Sequence, residues 1–85
     1  MHDNTAQTFI EVLIRNLFVL KQELRQTEGL IKDALLTAAE PNTEYPPEEY
    51  KRLADELRQE ADSLRQDIQN LETQLQQAQA LTNPE

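Results

Sequence analysis

The stretch EPNTEYPPEEY, residues 40–50, decides how this chain folds. It holds three of the four prolines, Pro41, Pro46 and Pro47. Each lacks the amide hydrogen that a helix interior requires. Asn42-Thr43 between them is turn-forming. Pro47 is pre-set for the first position of a new helix, and Glu48 and Glu49 follow it at the positive end of that helix's dipole. The segment is therefore a break between two helices. The string PPEEY is similar to the PPxY ligands of WW domains, with one residue too many between the prolines and the tyrosine, so the turn reading stands.

Upstream of the break, apolar residues recur at helical spacing. With Ile10 at heptad position a, Leu17, Leu24, Ile31 and Ala38 also fall at a, and Leu13, Leu20, Thr27 and Ala34 fall at d. Thr5 or Thr8 supplies a capping hydroxyl, so a helix is predicted over about residues 5–39, preceded by a frayed tail at 1–4. The lone glycine, Gly29, falls at f on the outer face, where it costs about 1 kcal/mol relative to Ala and leaves the seam intact. Downstream, Ala54, Ala61, Ile68 and Leu75 take a, and Tyr50, Leu57, Leu64, Leu71 and Ala78 take d. Four heptads of 3-4 spacing predict a second coiled-coil helix over about 47–81, ended by Thr82-Asn83-Pro84. Two helices of about 50 Å joined by a loop at 40–46 make an all-α, antiparallel two-helix hairpin in a single domain. Pairing through the loop sets side by side residues whose numbers sum to about 86. Glu28 then faces Arg58 and Lys21 faces Arg65, a pattern that fixes the register only weakly.

Composition agrees with this reading. The 85 residues include one Gly, four aromatics, no Trp and no Cys, as in long helices and unlike sheets or disulfide scaffolds. Eight bases against sixteen acids give a net charge of −8. That balance lacks the basic face needed to displace counterions from nucleic acid, and it disfavours an anionic membrane surface. The first residues, MHDNTAQTFIEV, have no basic region or small-residue cleavage site and do not read as a secretory signal. The absence of Cys leaves the compartment open. With neither a leader nor a span, a cytoplasmic location is expected.

One segment exceeds what a hairpin needs. In FIEVLIRNLFVL, residues 9–20, nine of twelve residues are apolar. It is too short to span a membrane, because twelve helical residues cover about 18 Å of about 30 Å of hydrocarbon. Ile10, Leu13, Leu17 and Leu20 serve the seam. Ile14 and Phe18 widen the apolar surface to one side, and Phe9, Val12 and Val19 widen it to the other. A surface helix needs an apolar stripe of about 100°, whereas this segment is apolar nearly all round. Leaving those five side chains in water forgoes about 1.5–3 kcal/mol each. Phe9, Val12, Ile14, Phe18 and Val19 are thus the candidate protein interface. A second copy is the expected occupant, giving a homodimer, or a higher even-numbered assembly, built as a four-helix bundle with the first helices central.

Catalytic signatures are missing from the pattern. The single histidine, His2, lies in the tail, and there is no His-Glu helix motif, Cys pair or glycine-rich phosphate loop. Acid pairs such as Glu48-Glu49, and Glu60 with Asp67, fall on outer positions, while bundle metal sites draw carboxylates from a and d. No enzyme activity, catalytic residue, metal or cofactor is expected. The helix, proline turn and Tyr-led second helix are similar in outline to small helical-hairpin proteins such as secretion co-chaperones and plasmid copy-control hairpins. No diagnostic motif accompanies that outline, so it transfers no residue roles. The expected role is a non-enzymatic, self-associating structural or adaptor protein that binds or regulates a partner protein. The alternative is a co-chaperone or inhibitor whose first-helix face takes a heterologous helix. An acidic nucleic-acid mimic ranks below both, since bases are interspersed along both helices.

Overall fold

The computed structural model describes residues 5–82, so His2 and the Asn83-Pro84 stop lie outside the described residues. Two helices, α1 (Thr5–Ala38) and α2 (Pro47–Thr82), pack against each other as a hairpin. The molecule is a rod measuring 67 × 16 × 15 Å, two helices wide. The register of burial follows the heptads. Every a and d residue, from Ile10 to Ala38 on α1 and from Tyr50 to Ala78 on α2, is buried or half-buried. Outside that seam, among the described residues, only Thr37 and Thr43 are less than exposed.

The seam is thin. Its buried apolar members are Leu13, Leu17 and Ala34 on α1 and Ala54, Ala61, Ile68 and Ala78 on α2. Near the loop, Ala54 and Ala61 keep almost no exposed surface, because small side chains let the helices approach closely. No large side chain is fully enclosed, since each rests on one neighbouring helix and has solvent behind it. Thr27 is the single buried polar residue, and no buried side-chain polar atom lacks a partner among the described residues.

The flanking charges choose other partners than expected. Glu28 bonds Arg65 at 2.9 Å, where Arg58 was expected, and Lys21 reaches Glu72 at 3.4 Å, where Arg65 was expected. Both pairs run one heptad further along α2. The reason is geometric: in an antiparallel pair a flanking side chain lies between two positions of the opposite helix, one heptad apart; Lys21 takes the acid Glu72 over Arg65, whereas both positions open to Glu28 hold arginine. Arg65 also holds Asp62 at 2.9 Å, while Arg58 turns to Asp55. Charge therefore does favour this register, although half-exposed pairs contribute only about 0.2–1 kcal/mol each.

The loop is built by local chemistry. The last turn of α1 tightens through bonds from the amides of Ala39 and Glu40 to the carbonyls of Leu36 and Thr37. Asn42 then takes the left-handed conformation, φ 60°, that asparagine tolerates better than most residues. The Thr43 hydroxyl donates to the Tyr45 carbonyl at 2.6 Å. The Glu49 amide donates to the Pro46 carbonyl at 3.0 Å, and α2 begins at Pro47 with its dipole met by Glu48 and Glu49. Tyr45 packs edge-on to Tyr50, ring centroids 6.3 Å apart, one residue before the cap against the fourth inside it. This is a hydrophobic staple, which sets the angle at which the chain enters α2.

Candidate interaction surface

The two helices leave the hairpin with two flanks, which differ in chemistry. In an antiparallel pair, position e of one helix lies beside e of the other, and g beside g. The first flank is marked by the pairs Lys21–Glu72 and Glu28–Arg65, all four at e. An open hollow of about 370 Å³ among Glu28, Ile31, Arg58, Ala61, Asp62 and Arg65 lies along it. The second flank is marked at the open end of the hairpin. There Phe9, Gln74 and Leu81, all at g, share a mostly apolar hollow of about 270 Å³ with Ala6, Gln77 and Ala78.

Each of the five candidate interface residues is exposed: Phe9 49%, Val12 44%, Ile14 50%, Phe18 63% and Val19 48%. They do not form one patch. Ile14 and Phe18 lie on the e-side flank, joined further along α1 by exposed Leu35. Phe9, Val12 and Val19 lie on the g-side flank, joined by exposed Leu30, Leu53 and Leu81. A single neighbour seated on one flank leaves the other open. The periodicity singled out the residues of the apolar stretch, but it passed over Leu30, Leu53 and Leu81, which stand apart as single leucines in polar surroundings.

The charges divide along the same line. Lys21, Arg25, Lys32, Lys51, Arg58 and Arg65 all fall at e or b, on the first flank, beside six acids. The two remaining bases, Arg15 and Arg52, fall at f on the back. None falls at g or c. Interspersion along the chain had suggested a mixed surface. Around the helices the bases are segregated, because they recur at heptad spacing.

Chemistry of other kinds has little to build on. Among the described residues no group of three or more His, Asp or Glu is placed to hold a metal ion. No described helix is long and apolar enough to cross a membrane. The fold and its surface thus define a class: an antiparallel helical hairpin with a narrow seam and two apolar flanks. No protein-family profile, curated protein or solved structure matches the chain.

Proposed function

We propose that this protein is a non-enzymatic, self-associating helical adaptor, working in the cytoplasm, whose first helix joins two copies and leaves a surface for a partner protein. The observation that carries the reading is the exposure of Phe18 and Ile14 on a hairpin whose own seam is already complete. A side chain of this size half in water is a loss of about 1.5–3 kcal/mol that a second protein surface recovers. The e-side flank suits a second copy. Its six bases and six acids balance, so two such flanks meet without net repulsion. A dimer of hairpins packed this way is a four-helix bundle.

The test is sedimentation of the Phe18→Asp variant over a wide concentration range. The parent is expected to sediment as a dimer or a higher even-numbered assembly, and the variant as a monomer of 9.9 kDa, because a lone carboxylate buried in an interface is heavily penalised. A parent that stays monomeric at every concentration, or a variant that associates as well as the parent, removes Phe18 from any self-interface.

A further inference from the structure

We propose that the g-side flank of the hairpin is a docking surface for a cationic amphipathic helix of a partner protein. The inference rests on the adaptor reading above and supplies the partner's chemistry. Six exposed apolar side chains lie on this flank: Phe9, Val12, Val19 and Leu30 from α1, and Leu53 and Leu81 from α2. The acids Glu23, Asp33, Glu49, Glu56, Glu60 and Asp67 lie at g and c on the same side. Among the described residues only Glu49 has a basic partner, Arg52, which reaches it from the back at 3.2 Å. The other five make no ion pair among the described residues.

The arrangement across the seam sharpens the contrast. Phe9 and Leu81 share the open-end hollow. Two heptads inward from each, Glu23 and Asp67 come to the same level, acid beside acid. On the opposite flank the equivalent positions hold complementary pairs. An isologous contact between two copies on the g side would place twelve acids together with no base between them, so a second copy is the wrong occupant for this flank. A helix with Lys and Arg bordering an apolar stripe fits both features. Its stripe covers Val12, Val19 and Leu30, and its bases answer Glu23, Glu60 and Asp67. From Phe9 to Leu30 the surface runs about 32 Å, the length of a partner helix of about 21 residues.

The probe is a fluorescein-labelled synthetic peptide of 21 residues, Leu at heptad a and d and Lys at e and g, measured by fluorescence anisotropy against the full chain. Two variants of equal net charge decide the matter: Glu23→Lys with Asp67→Lys on the docking flank, and Glu11→Lys with Glu48→Lys on the other. The first is expected to weaken binding by about tenfold or more, since two close charge pairs are reversed, and the second to leave it within about twofold. Val19→Ser, an exposed change that spares the seam, should weaken the peptide several-fold without changing circular dichroism. Equal loss in both charge variants means attraction to net charge alone and overturns the proposal. So does displacement of the dimer by peptide, which would make this flank the self-interface, and so does growth of large scattering species from the protein alone, which would mean that copies join this flank to the other. Peptide binding by a parent that sediments as a monomer sinks the self-association reading and leaves this one standing.

Discussion

Gly29 and Thr27 are two residues apart and carry opposite liabilities. Gly29 stands mid-helix at an outer position, and a methyl group built on it meets nothing within 4 Å. Its backbone is an ordinary helix with no positive φ, so nothing in the hairpin uses the freedom of glycine. Gly29→Ala is expected to stabilise by about 1 kcal/mol, raising the melting temperature by about 4–8 °C at fixed protein concentration. An unchanged or lowered melting temperature would mean that a neighbour occupies the back of α1. Thr27 is the polar residue buried in the seam, at d. Thr27→Val keeps the shape and removes the hydroxyl, and a gain of about 1 kcal/mol is expected in denaturant unfolding. A loss of stability would show that this hydroxyl is bonded in the assembled state.

At the scale of elements, the two helices and the break were legible because each depends on short-range rules. Three prolines in seven residues stop one helix and start another, and 3-4 spacing names the seam without knowledge of any partner residue. Two features escaped. The ion-pair partners did, because a flanking charge has a choice of two opposite positions one heptad apart, and counting through the loop does not decide between them. The Tyr45–Tyr50 staple did as well, since Tyr50 already had a role at d and Tyr45 sat in a segment read as turn. The staple lies wholly on the α2 side of Asn42, which makes the loop separable. Inserting three Gly-Ser residues after Asn42 lengthens the connection at a cost of a few tenths of a kcal/mol and touches no seam residue. The circular-dichroism signal at 222 nm is expected to stay within about a tenth of the parent's, as for insertions at exposed loop tips. Tyr45→Ala, by contrast, removes an aromatic contact of about 0.5–1.5 kcal/mol and should lower stability. A large loss of helicity in the insertion variant would show that residues 39–42 pack on something other than themselves.

For the whole molecule, what matters is how stability divides between the hairpin's own seam and its assembly. Five exposed apolar residues were visible in the sequence as excess over one seam, and so was their division to the two sides of α1. The α2 residues that extend each side were not, because they are assigned only once antiparallel pairing is in place. The same pairing turns a scattered run of charges into one balanced flank and one acidic flank. A core with no fully enclosed large side chain gives a modest intrinsic stability, so association through the e-side flank should add to it by mass action. Melting curves across a hundredfold range of concentration separate the two contributions. The parent's midpoint should rise with concentration. Ile68→Ala opens a cavity in the seam, and the usual cost of about 2–5 kcal/mol should lower the midpoint at every concentration while preserving the slope. Phe18→Asp leaves the seam untouched, so its midpoint should match that of the dissociated parent and be independent of concentration. If Ile68→Ala flattens the slope and Phe18→Asp preserves it, the roles are reversed: the residues read as seam then hold copies together, and the two helices of one chain are not each other's partners.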